Sequence, residues 1–116
     1  MEFNYDAYFN TNDVISISKE DVDYILSGDN PVVKETKGKD VDEVKKLMAN
    51  GNVYKGLDQA ILYIKSNQHL TLYDQSQILE YLRDLAGNEL NIIYGVGIDE
   101  AMEGISVLVV ASKIKA

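Results

Sequence analysis

Apolar residues recur along this chain in two rhythms, the three-to-four spacing of a helix and the short unbroken run of a strand, and their succession lays out the elements. Val22, Ile25 and Leu26 share one helical face behind Ser18, which can cap, with Asp21 at the capping-box position and Gly28 as a stop. Pro31, Val32 and Val33 open a strand that turns polar at Lys34 and Glu35 and ends near Gly38; its proline suits an edge position. Asp40 starts a second helix with Glu43 in the capping box, and Val41, Val44, Leu47 and Met48 make its stripe until Asn50 and Gly51. The continuous apolar run 60–64 reads as a buried strand. Thr71 can cap the longest helix, where Ile78, Leu79, Leu82 and Leu85 recur before Gly87. Two strands follow, 90–98 and 105–114, and the polar turn 99–104 between them is short enough for a hairpin. A central place for the first of these would make Ile92→Ala cost about 2–5 kcal/mol.

This order predicts an α+β fold, a four-stranded mixed β-sheet with helices packed against it, in a single domain over 1–116. At that length one core forms, burying roughly two-thirds of the unfolded surface. Residues 1–12 carry Tyr5, Tyr8 and Phe9 without a clear period; they form either an arm or a loose terminus, and the aromatics favour packing.

Composition narrows the function classes. A net charge of -8 with no basic run disfavours nucleic acid and anionic membranes as partners. No apolar run approaches the roughly 20 residues that span a bilayer, so direct membrane binding is not expected. With no cysteine there is neither a disulfide framework nor a thiolate metal site. The opening residues lack the basic and apolar regions of a secretory signal, so the expected location is cytoplasmic.

Candidate chemistry is sparse. No glycine-rich loop leads from a strand into a helix, as a phosphate cradle requires. His69 has no nearby Ser, Cys or second His, and reads as a solvated loop residue. Asp99, Glu100 and Glu103 could hold a hard cation, but their spacing is not that of a calcium loop and a solvated turn explains them. Gly95 and Gly97 lie on one face of a strand and leave a bare stripe, which suits close internal packing better than a ligand slot. Tyr54, Tyr63, Tyr73, Tyr81 and Tyr94 suit partner surfaces and wet core edges alike.

A specific likeness sits in the last third. Residues 70–82 read LTLYDQSQILEYL, 91–95 read NIIYG, 98–100 read IDE and 105–112 read ISVLVVAS. In this order they resemble the end of the C-terminal domain of FtsZ, the bacterial relative of tubulin, whose pattern is an LTL-type helix start, NIIFG, IDE and a VTVIA-type last strand; Tyr94 replaces the phenylalanine. The resemblance implies a four-stranded mixed sheet covered by two helices, with a further helix leading in. In that family the guanine nucleotide is held by another domain through a GGGTGTG-type loop, which nothing in this sequence resembles, so neither GTP binding by this chain alone nor a cofactor is expected. The family's C-terminal side contributes an NxDxxD loop whose acids polarise water at the neighbouring subunit's nucleotide. The segment ISISKEDVD is similar to it, with Ser16 at the asparagine position, Ser18 at the first aspartate and Asp21 retained. A serine hydroxyl carries no charge with which to activate water at neutral pH, so hydrolysis in trans is expected to be lost or greatly weakened. A helix capping box explains Ser18 and Asp21 better than a remnant of that loop does.

The function implied is protein–protein contact and filament assembly without nucleotide hydrolysis, so the chain is not expected to be an enzyme. The partner implied is an FtsZ- or tubulin-like GTPase domain or subunit, or another copy of the chain, with Ser16, Ser18, Asp21 and Asp23 as candidate contacts. The sequence ends after its final strand, without the tail by which the family recruits membrane anchors, so such recruitment is not expected. The alternative is a small α+β domain that binds a metabolite or performs simple acid–base chemistry. No convergent set of His, Arg or paired carboxylates near the glycines supports it.

Overall fold

The computed structural model describes residues 3–9, 13–67, 70–87 and 89–114. Its elements run α1 (Tyr5–Tyr8), α2 (Lys19–Leu26), β1 (Asp29–Gly38), α3 (Val41–Met48), β2 (Gln59–Ser66), α4 (Leu72–Ala86), β3 (Asn91–Ile98) and β4 (Ile105–Lys113), with a 3-10 turn over Asn50–Asn52. The three longer helices begin where a side chain replaces a missing backbone acceptor. The Asp21 N–H donates to Ser18 Oγ at 3.1 Å, that of Glu43 to Asp40 Oδ1 at 2.9 Å, and that of Asp74 to Thr71 Oγ1 at 3.0 Å. At α3 the box closes in the other direction too, as the Lys39 N–H donates to Glu43 Oε1 at 3.0 Å. Asp40→Ala should therefore lose about 1 kcal/mol, read as a lower urea midpoint with an unchanged slope.

The strands form one sheet in the order β1-β4-β2-β3, with β4 antiparallel to both its neighbours and β3 parallel to β2. This corrects the expected hairpin: β2 lies between β3 and β4, and residues 99–104 pass over the end of β2, where the Asp99 N–H donates to the Ser66 carbonyl at 2.9 Å. The reason is burial. Residues 105–112 of β4 are all buried, as are 60–64 of β2, and only the two inner positions cover such runs on both faces and both edges. β3, with Asn91 exposed and residues 92–94 half-buried, tolerates the edge, so Ile92 is not central. The expectation of an edge position for β1 holds, and that edge carries Pro31, a bulge between Asp29 and Val32, and Lys34 and Lys37, all features that discourage further strand pairing.

Each sheet face has its own core. On one, Leu62, Ile64, Val107 and Val109 meet Val44 and Met48 of α3 and Ile78 and Leu82 of α4. On the other, Ile61, Tyr63, Leu108 and Val110 meet Val22 and Ile25 of α2, together with Ile17 and Phe9. Residues 3–9 are the packed arm that the aromatics favoured: Phe9 is buried edge-on against Tyr63, with ring centroids 4.8 Å apart, and Tyr5 lies 5.0 Å from Phe9. Residues 10–12 of that stretch lie outside the described residues.

Of the five tyrosines that suit partner surfaces or core edges, Tyr54 and Tyr63 are buried, Tyr81 and Tyr94 half-buried and Tyr73 exposed. Burial pushes the Tyr54 phenol up from 10.0 to about 12, because its hydroxyl would ionise out of contact with water. A folded-state value above the unfolded one contributes stability that is complete below the unfolded value and is lost as pH rises through the folded one. The unfolding free energy from urea denaturation should therefore fall between pH 10.0 and about 12, by up to roughly 1.4 kcal/mol per pH unit. Tyr54→Phe should flatten that alkaline limb.

Candidate functional site: a segment fastened along the β3 edge

Residues 13–18 run along the outer edge of β3 and are fastened at successive points. Ile15 pairs with Val96 as an isolated antiparallel bridge, its N–H donating to the Val96 carbonyl at 3.1 Å and its carbonyl accepting from the Val96 N–H at 2.9 Å. Ile17 is buried over Gly95, where a Cβ would stand only 2.6 Å from its side chain. Its carbonyl accepts from the Tyr5 hydroxyl, which ties the arm to the segment. The Tyr63 hydroxyl and the Asp13 carboxylate meet over Gly97, where a Cβ would come within 2.2 and 2.7 Å of their oxygens. Burial above all, and then the neighbouring Asp13, raises the Tyr63 phenol. Gly95 and Gly97 are thus used for close internal approach, as their spacing predicted.

What this fastening presents is the stretch singled out by sequence. Ser16, Ser18 and Asp23 are exposed and Asp21 is half-buried, so the four candidates lie on one short stretch that enters and forms α2. Ser18 is occupied as the N-cap of α2. The capping bond uses the Asp21 backbone N–H, leaving the Asp21 carboxylate at the positive end of the helix. Ser18→Ala should therefore cost about 1 kcal/mol and Asp21→Ala about 0.3–1 kcal/mol, a ranking that chemical denaturation resolves.

Sequence reasoning missed Asp13, Val14 and Ile15, which hold or flank this stretch. The available signal was Tyr63, a hydroxyl within an apolar run, opposite glycines on the next strand: such a group requires an acceptor from another segment. The remaining candidates stay apart from it. Asp99 accepts from the Ala101 N–H at 3.1 Å and closes its own turn, while Glu100 and Glu103 are exposed. His69 lies outside the described residues. A cleft of about 590 Å³ opens where β2 ends, between the first turns of α3 and α4, lined among others by Asp40, Asp42, Ser66, Asp74 and Gln77. Its two helix ends already have caps in Asp40 and Thr71. Among the described residues no group of three acids or histidines is placed to hold a metal ion, and no helix is long and apolar enough to cross a membrane.

No family model matches the chain, and no curated protein matches it in sequence. Solved structures do match in shape. The empty FtsZ dimer of M. jannaschii superposes with a TM-score of 0.69 at 18% identity, over 87% of this chain and 32% of the FtsZ chain. A tryptophan-to-tyrosine mutant of FtsZ from the same organism gives 0.68 at 19% identity, over 90% of this chain and 34% of that one. The chain thus spans about a third of the length of the FtsZ chains it resembles. At such identity the likeness establishes the fold, a four-stranded mixed sheet with helices of the FtsZ C-terminal type, and bears out the resemblance of residues 70–112 at that level.

Proposed function

We propose that this domain is a protein–protein contact and assembly module that docks on an FtsZ- or tubulin-like subunit through residues 16–23, without hydrolysing nucleotide itself. The observation that carries this reading is the fastening of residues 13–18 to β3, which holds Ser16, Ser18 and the start of α2 at the surface on a rigid support. A segment already ordered in the free protein loses little conformational freedom on docking, which favours contact by a preformed surface. The proposed absence of hydrolysis in trans is supported by Ser18, whose hydroxyl is engaged as a helix cap and has no charge with which to activate water.

The test is co-sedimentation with full-length FtsZ of the same organism plus GTP, following the pellet and phosphate release together. Dose-dependent co-pelleting or altered turnover is expected. Ser16→Lys combined with Asp23→Lys should abolish it, with the melting temperature of the chain unchanged. No effect of the wild-type chain on either readout would overturn the proposal.

A further inference from the structure

The turn that leaves α3 carries the chain's one Asn–Gly pair, Asn50–Gly51; every other asparagine precedes a residue with a side chain. Asparagine before glycine is the pair most open to ring closure, because the attacking main-chain nitrogen belongs to a residue without a Cβ. Both residues are exposed, as are Asn52 and Val53 after them. A Cβ at Gly51 would meet only Val53, at 3.8 Å, so the pair is open to water. The backbone is left-handed at Gly51, with φ 75°, and again at Asn52, with φ 39°, a conformation that a residue other than glycine holds at a cost. The Asn52 N–H closes the turn on the Ala49 carbonyl at 3.2 Å. An exposed and strained turn of this kind opens more readily than the elements on either side of it.

Lys34 reaches this turn from β1. Its Nζ donates to the Asn50 carbonyl at 3.1 Å and to the Leu47 carbonyl at 3.3 Å, and it lies 5.8 Å from the centre of the Tyr54 ring. A cation is thus held on the main-chain carbonyl of the same asparagine whose side chain is next to Gly51. Leu47 and Tyr54 take no part in ring closure, so they keep the ammonium in place while the turn rearranges.

We propose that Asn50–Gly51 is a site of spontaneous covalent modification and that Lys34 steers its product toward isoaspartate. In the first step the Gly51 nitrogen, its proton lost to hydroxide, bonds to the Asn50 Cγ. The side-chain nitrogen leaves as ammonia with a proton from water, closing a succinimide ring. In the second step water adds to one of the two ring carbonyls, and the bond from that carbon to the Gly51 nitrogen breaks. Addition at Cγ restores the main chain and leaves aspartate. Addition at the main-chain carbonyl leaves the chain running through Cβ and Cγ, with the former main-chain carbonyl as a free carboxylate, which is isoaspartate. Lys34 donates to that second carbonyl. A cationic donor there stabilises the oxyanion that forms when water adds, and in the product it faces a full carboxylate. The change places a negative charge beside Lys34 and lengthens the main chain after α3. It does not depend on docking through residues 16–23.

The experiment ages the full chain in mildly alkaline buffer, digests it with trypsin and follows the peptide 47–55 by mass spectrometry, with electron-based fragmentation to separate isoaspartate from aspartate. The amide should give way to a carboxyl at Asn50, faster than at any other asparagine. Asn52 in the same peptide precedes β-branched Val53 and should stay intact. Asn50→Ser should abolish the gain in this peptide. The isoaspartate share at residue 50 should be higher in the folded chain than in the chain aged in urea, where Lys34 is no longer held at the turn. Lys34→Met should lower the share in the folded chain to the urea level, and Lys34→Arg, which keeps a cationic donor, should retain it. An Asn50 that ages no faster than the other asparagines overturns the site. An isoaspartate share equal in the folded and urea-unfolded wild type overturns the role of Lys34, and the comparison needs no variant to fold.

Discussion

Leu62→Ala should lower the unfolding free energy by about 2–5 kcal/mol, the range for a large-to-small change in a core that cannot collapse into the space. Leu62 has no exposed surface, and its strand is flanked on one side by Val109 of β4 and on the other by Tyr94 of β3. Its side chain enters the core shared with α3 and α4. Ile92→Ala removes a similar amount of apolar volume from an edge strand where the residue is only half-buried, so it should cost less than half as much. Urea denaturation of the pair measures the difference directly. Equal losses would contradict the strand order, since only a β3 enclosed on both edges would make the two sites equivalent.

Gly95→Val should cost about 1–3 kcal/mol by overpacking and should detach the fastened segment. The first added carbon would already stand 2.6 Å from Ile17 and 3.0 Å from the Tyr63 ring, and both neighbours are buried. Ile17 is the one with somewhere to go, because its segment lies outside the sheet and shares only one backbone bridge with it, whereas Tyr63 lies within β2 between two paired strands. Hydrogen exchange at the Ile15 and Val96 amides, which bond to each other's carbonyls, should accelerate more than at amides of β4. If residues 16–23 dock on a tubulin-like partner, the same variant should lose co-pelleting while the sheet remains folded. Uniform acceleration across the whole sheet would mean instead that the segment and the sheet open as one unit.

Helix positions were legible because their starts are chemical events: Ser18, Asp40 and Thr71 each carry the one oxygen that can replace a missing acceptor, and all three do so. Strand positions were legible from continuous apolar runs. Strand order was not, because β2 and β4 read alike in sequence, and a six-residue link after β3 suits either a hairpin or a passage over one intervening strand. The candidate surface was half legible. Ser16 and Asp23 lie outside as expected, but the means of their support, Tyr63 with Asp13 and Ile15 with Val96, joins residues far apart in the chain and leaves no local periodicity.

The strand that completes the sheet is the last one in the sequence, yet it occupies an inner place, so β1 has no partner strand until β4 arrives. During synthesis, at roughly 5–20 residues each second, residues 29–38 emerge long before residues 105–113, the strand they pair with. Completion of the sheet is then governed by contacts distant in sequence, which places it toward the slow end for a domain of this size. During that interval β2 and β3, joined by α4 in a local crossover, are the pair that can form first, and β4 enters between β1 and this unit as the final wedge.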